Sequence, residues 1–301
     1  MKQQLFEIKH VTTYRYEGAV ALSHHLLRLT PRELNRQRCL SHFIELDPTP
    51  TVTATHTDYF GNRVTFITQE SVHSEFTVIA QSTVAVGPAS IPDPAETPPW
   101  ETVRRLCNGD HTGRSLEATE FVYNSPLVQV HRGYADYAAA SFTPNRPMLE
   151  AALDLTRRIH ADFKFDAKAT TVATPLQQVF QQRRGVCQDF AHIQIACFRA
   201  MGIPARYVSG YLETLPPVNQ PRLIGADASH AWVAFFCPGL GWTDLDPTNN
   251  VLPSLRHITL GWGRDFSDVS PIRGVILGGG HHTLKVGVDV IPLDTISWSS
   301  G

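Results

Sequence analysis

Residues 86–100, VGPASIPDPAETPPW, carry five prolines and no hydrophobic period. Proline fixes φ and donates no backbone N–H, so neither a helix interior nor a central strand runs through such a stretch. The segment divides the chain in two. At 301 residues the length suits two domains, or one core with a large addition. The expected limits are a β domain over 1–87, a Pro-rich linker over 88–100 and a second domain from 101.

Before the linker the pattern is β. LFEIKHVTTYRY alternates, with Phe6, Ile8, His10 and Thr12 on one face and Leu5, Glu7, Lys9 and Val11 on the other. Similar runs follow in SHFIELDPTPTVTATHTDYFGNRVTFITQE and EFTVIAQSTVAV, and Gly61-Asn62 suits a hairpin turn. Strands at this spacing predict an antiparallel sandwich or barrel with a core of its own. After the linker the period changes. RPMLEAALDLTRRIHADFKF brings Leu149, Leu153 and Ile159 near one helical face. TPLQQVFQQRRG reads as a short helix with Thr174 as cap, Pro175 at the first helical position and Gly185 just beyond the end. A further helix opens at Cys187 and runs to about Met201, where Gly202 and Pro204 stop it. β patterns return at ARYVSGYLET, SHAWVAFF, GWTDLDPT and HTLKVGVDVIPL. The class is α+β.

Composition narrows the partners. A formal charge of −2 gives no electrostatic footprint for nucleic acid or an acidic membrane surface. MKQQLFEIKHVTTYRY lacks the apolar core of a signal peptide, and no run is long enough to cross a bilayer. Five cysteines without close pairs do not form a disulfide framework, so a reducing, cytoplasmic setting is expected.

The chemistry concentrates in three places. Cys187 follows a glycine turn at a helix start, where free backbone N–H groups and the helix dipole favour a thiolate. A cysteine nucleophile needs a base, and the base needs an orienting group. His230 stands at the start of an apolar strand, and Asp246 at a strand end before a proline turn. Two adjacent strands joined by a hairpin would set His230 beside Asp246, and a helix across them would present Cys187. Each residue alone has a plainer role: a structural thiol, a core histidine, a turn-shaping aspartate. Together, at these element positions, they predict a Cys187–His230–Asp246 triad with the Cys187 N–H as an oxyanion donor.

GVCQDFAHIQIACFRAMGIPARYVSGY, ASHAWVAFF and GWTDLDPTNN closely resemble the three motif blocks of the transglutaminase-like superfamily, in order and spacing. YRYEGAVALSHHLLRLTPRE and DYFGNRV resemble the N-terminal β domain of its bacterial members, and GRDFSDVSPIRGVILGGGHHTLKVGVDV their C-terminal tail. The resemblance implies a papain-like core of helices packed on an antiparallel sheet, preceded by an all-β domain. It gives a catalytic domain over 101–270 and a C-terminal β tail over 271–301 packing on the rest. It maps the triad onto the same three residues and implies a cysteine-dependent acyl transfer on peptide or amide bonds. Hydrolysis, as a cysteine peptidase or amidase, is favoured over cross-linking. Glutamine γ-glutamyl transfer, or a non-catalytic binding module on the same core, is the alternative. No cofactor and no metal are expected; the partners are a peptide or protein substrate, with the β domain as a candidate docking platform for a protein. The side-chain oxyanion donor of such enzymes is not fixed by spacing, and Gln129, Tyr134 and Gln181 are its candidates.

Among the remaining features, Cys197 reads as core. His24-His25 and His281-His282 would point to opposite faces of a strand, which argues against a shared zinc ion.

Overall fold

The computed structural model describes residues 3–109, 117–214 and 228–296. Its strands are β1 (Gln3–Leu27), β2 (Gln37–Asp47), β3 (Val52–Thr57), β4 (Arg63–Gln69), β5 (His73–Val86), β6 (Lys164–Phe165), β7 (Arg184–Gly185), β8 (Ala205–Leu212), β9 (Ala228–Cys237), β10 (Gly241–Leu245), β11 (His257–Gly263), β12 (Ile272–Gly278) and β13 (His282–Ile296). The α-helices are α1 (Trp100–Gly109), α2 (Arg132–Ala139), α3 (Met148–Asp162), α4 (Leu176–Gln182), α5 (Cys187–Ala200) and α6 (Phe266–Val269).

β1 organises the first part. Phe6, Ile8, His10 and Thr12 are all buried, as the alternation predicts. The first half of β1 lies between β5 and β13, and its second half between β4 and β12, all antiparallel. β2 extends the β5 side and β3 the β4 side. These two runs of strands meet over a core that includes Val20, Leu27, Ile67, Phe76 and Val78. β12 and β13 are hydrogen-bonded members of this sheet. The chain's last described strands therefore complete the face that its first strand begins.

The second part is a four-stranded antiparallel sheet, β10-β9-β8-β11, with α5 packed against β9 and β8. Phe190, Ile193 and Cys197 of α5 share a core with Val233 and Phe235 of β9 and with Leu149, Leu155 and Ile159 of α3. Leu155 takes the core position that the helical reading gave to Leu153, which is only partly buried.

Two expectations are extended by the structure and a third is corrected. Beside its own core, the β domain shares a second one with the following part: Phe6, Ile8, Val84, Val86, Val288 and Val290 cluster with Tyr211 of β8 and with Ile258 and Leu260 of β11. An apolar sheet face is legible in sequence, but the face that covers it is not. Gly61-Asn62 does lie in a hairpin turn, between the antiparallel β3 and β4, but the connection is longer than two residues and runs from Thr57 to Arg63, with Asp58 Oδ1 accepting from the N–H of Phe60 (3.0 Å) and of Asn62 (2.9 Å). That loop docks the two parts. Asn62 is buried; its Nδ2 donates to Trp262 O (2.9 Å) and its Oδ1 accepts from Trp262 N (3.0 Å). α4 begins at Leu176 behind an extended Pro175, because Thr174 Oγ1 is taken by Thr171 N (2.9 Å). It ends on Arg183 at φ 54° rather than on Gly185.

Candidate active site

The helix that carries Cys187 starts where it does because of its neighbours. Val186 is extended, and the Asp189 carboxylate turns back to accept from Val186 N (2.8 Å) and Thr170 Oγ1 (2.6 Å). A carboxylate in the first turn also suits the positive end of the helix dipole. Gly185 is buried directly beneath it: a Cβ at 185 would fall 2.4 Å from Asp189 Oδ2. Cys187 is therefore the first residue of α5, half-buried, with an N–H that has no acceptor inside the helix.

His230 lies on β9, and Asp246 directly follows β10. The antiparallel pairing of these strands, Leu245 opposite Val233, brings the two together. His230 Nε2 donates to Asp246 Oδ2 at 2.8 Å, and Cys187 lies near enough to the same imidazole to raise its proton affinity. Since Nε2 serves the carboxylate, Nδ1 is the nitrogen left for sulfur. Both His230 and Asp246 are buried, at 8% and 0% exposure, in contrast to the half-buried thiol. The structure thus brings the three predicted residues together, with His230 and Asp246 hydrogen-bonded and Cys187 beside the imidazole.

Two further residues hold the carboxylate, and the sequence reading missed both. β10 and β11 are opposite edges of the sheet, so the chain between Asp246 and His257 crosses back over two strands. At the end of that crossing His257 donates from Nε2 to Asp246 Oδ2 (3.1 Å), while its Nδ1 accepts from Ser254 N (3.3 Å). A ring with one donating and one accepting nitrogen is the neutral tautomer. Asn249 Nδ2 adds a third bond to Oδ2 (2.7 Å), and the N–H groups of Thr248 and Asn249 bind Oδ1 (3.0 and 3.1 Å). The DPTNN turn signal carried Asn249 in plain view. His257 had no motif to mark it.

The charges follow from burial and these bonds. Burial alone would favour a neutral Asp246, but bonds from His230, His257 and Asn249 hold its carboxyl well below the usual carboxylate range. Burial by itself would lower His230, but its bond to Asp246 and its interactions with Cys187 and the Asp246 charge lift it to about 10. Burial lowers His257, and the charges of His230 and Arg36 reinforce that against the pull of Asp246. One imidazole of the pair is built to carry a proton and the other to stay neutral.

His230, Asp246 and His257 also present ligand atoms within 4.8 Å of one another. The same atoms are engaged in the bonds just described, with both histidines donating, so a metal ion would have to displace two protons. The double histidines are used otherwise: His24 Nδ1 bonds Thr68 Oγ1 (2.9 Å) and His25 stacks on Phe76. Of the oxyanion-donor candidates, Tyr134 is fully buried in the core and Gln181 is exposed on α4. Gln129 donates to Ser125 O (2.7 Å) and lines a cavity of about 370 Å³ with Gln188, Asp189 and His192.

A papain-like α+β core carrying a Cys–His–Asp line defines the class. The description "bacterial transglutaminase-like N-terminal region" matches residues 6–85, and "transglutaminase-like superfamily" matches residues 135–247. The chain belongs to the transglutaminase-like superfamily, with the N-terminal region of its bacterial members. It is 39% identical to an uncharacterized protein of Mycobacterium tuberculosis, covering 96% of this chain and 93% of that one. Over 111 residues it is 35% identical to a protein-glutamine gamma-glutamyltransferase of Pseudomonas aeruginosa, covering 36% of this chain and 17% of that protein. A crystal structure from Cytophaga hutchinsonii, described provisionally as that of a cysteine protease, shares the fold. It superposes with a TM-score of 0.76 at 21% identity, over 99% of this chain and 94% of that one.

Proposed function

We propose that the protein is a cysteine-dependent acyl-transfer enzyme acting on peptide or amide bonds, with Cys187, His230 and Asp246 as its catalytic triad. The observation that carries the reading is the position of His230, bonded to the buried Asp246 and set beside Cys187, whose charge raises its proton affinity. In this reading the Cys187 sulfur attacks the amide carbonyl, forming the C–S bond and pushing the carbonyl electrons onto oxygen. The Cys187 N–H at the helix start receives that oxyanion. Collapse breaks the C–N bond, and the His230 proton goes to the departing amine, leaving a thioester. His230, now neutral, removes a proton from the acceptor, which attacks the thioester and releases the thiolate. Asp246 keeps the imidazole oriented and its charged form stable.

Water as acceptor makes a peptidase or amidase, and this is the favoured outcome. An amine acceptor is the second reading, supported by the short likeness to the Pseudomonas aeruginosa transferase. A reducing, cytoplasmic setting suits a thiol nucleophile and belongs to the proposal. The test is a peptide library incubated with the protein, with and without a primary amine, analysed by mass spectrometry. New termini or deamidated glutamine that vanish in Cys187→Ala support hydrolysis, and amine adducts support transfer. Products that persist in Cys187→Ala, or no product from a broad library, would sink the enzymatic reading.

A further inference from the structure

Away from the triad, at the junction of the two parts, a cavity of about 660 Å³ lies between the 33–36 and 87–91 segments and strands β8, β10 and β11, with Glu33, Arg36, Arg206 and Asp244 as its charged lining. Arg206 lines it. The Arg206 guanidinium carbon is 4.1 Å from the ring centre of Trp242 and 3.7 Å from that of Trp262. Arg32 sits 3.4 Å from the centre of the same Trp262 ring. Two guanidinium groups cannot share one face of an indole at such distances, so Trp262 lies between them and the order is Trp242, Arg206, Trp262, Arg32.

The two arginines differ in their partners. Arg32 donates to Asn62 Oδ1 (2.5 Å) and Phe60 O (3.1 Å). Arg206 is only 8% exposed, its Nε is buried without an acceptor, and no described residue accepts a hydrogen bond or forms an ion pair with it. Asp244 acts on it through space, but that carboxylate is paired with Arg36 at 3.3 Å. A buried cation without an acceptor is costly, and burial accordingly lowers Arg206 to about 9.

We propose that this cavity binds a small molecule or chain end bearing a carboxylate, with Arg206 as the anchoring cation and the two indoles as walls. The stacking selects the ligand's shape. With rings on its faces, a guanidinium offers only its in-plane edge, and a planar carboxylate meets that edge with two parallel bonds. The cavity is large enough for an apolar or aromatic body behind the carboxylate. The site is separate from Cys187 and does not rest on the proposed activity.

The test titrates the full chain calorimetrically with N-acetyl-L-phenylalanine, using its neutral amide as control and inorganic phosphate as competitor. The carboxylate should bind one saturable site about tenfold or more tightly than the amide, and Arg206→Met should lose about the same factor. Phosphate should fail to displace it. Asp244→Asn, which removes the competing negative charge, should tighten binding by a few-fold. Equal binding of acid and amide, no saturable binding, or displacement by equimolar phosphate would overturn the proposal. So would unchanged affinity in a folded Arg206→Met. If that variant loses its cooperative unfolding transition, Asp244→Asn carries the test, and unchanged affinity there counts against the site.

Discussion

At the scale of single residues, the site works through opposite settings of two histidines on one carboxylate. His230 is lifted to about 10 and His257 is lowered, though both bond Asp246 Oδ2. The activity proposed here should therefore fall on the alkaline side near pH 10, as His230 loses its proton. Asp246→Asn removes the negative charge and replaces one of the two acceptor oxygens with a donor, so that limb should move to lower pH in kcat/KM profiles. A limb that stays put would mean Asp246 does not govern His230. His257 touches no reacting atom and is a positioning residue. His257→Ala should lower kcat by about tenfold, ~1.4 kcal/mol, with KM little changed. His257→Gln, whose amide can still donate to the carboxylate, should recover part of the loss. Equal damage from both substitutions would point to a packing role instead.

At the scale of elements, the start of α5 sets where the thiol sits. Gly185→Ala would press a methyl group into Asp189, whose carboxylate caps the Val186 N–H. Overpacking of this kind costs about 1–3 kcal/mol. A lower urea midpoint together with slower Cys187 chemistry is expected; a variant as stable and reactive as the parent would contradict this account of the helix start. The elements also mark what a sequence can reveal. The 2-residue alternation of β1, the Cys187 helix with its Gly202 stop, and the SHAWVAFF strand were legible because each is a local pattern. His257 was not, since its role depends on a crossing that returns the chain from one sheet edge to the other. Arg206 was hidden for the same reason: the indoles that stack on it come from β10 and β11. The cap of α4 failed at shorter range, where Thr174 had a competing donor at Thr171.

At the scale of the whole molecule, the two parts share a core, and His10 is buried where they meet. Its Nδ1 is bonded to Tyr211 Oη and its Nε2 to Thr12 Oγ1, each at 2.9 Å. Burial lowers His10 to about 4, and His25, His42 and His192 are lowered to about 4 as well, by burial first. Unfolding restores them toward 6.5, so the unfolded chain binds more protons and stability falls as pH drops from 6.5 through about 4. His230 has the opposite sign: its contribution is fully present below 6.5 and is lost as pH rises through about 10. Urea midpoints should therefore decline between about pH 7 and about pH 5, and His10→Gln should lessen the decline. A flat midpoint over that interval would show that these buried rings do not control acid stability. Because the junction is apolar on both sides, unfolding should occur in one transition seen alike by near- and far-UV circular dichroism.

The central claim, that Cys187 is an activated nucleophile served by His230, is tested most directly by competition among the five thiols. Burial pushes Cys107 up to about 11 and Cys197 and Cys237 up to about 12, and it raises Cys39 too. Cys39 is as accessible in class as Cys187 but has no histidine partner, which makes it the internal control. A limiting dose of iodoacetamide at mildly acidic pH, read by peptide mass mapping, should modify Cys187 first. His230→Ala should slow that reaction and leave Cys39 unchanged. Labelling of Cys39 and Cys187 at equal rates, indifferent to His230, would contradict the account.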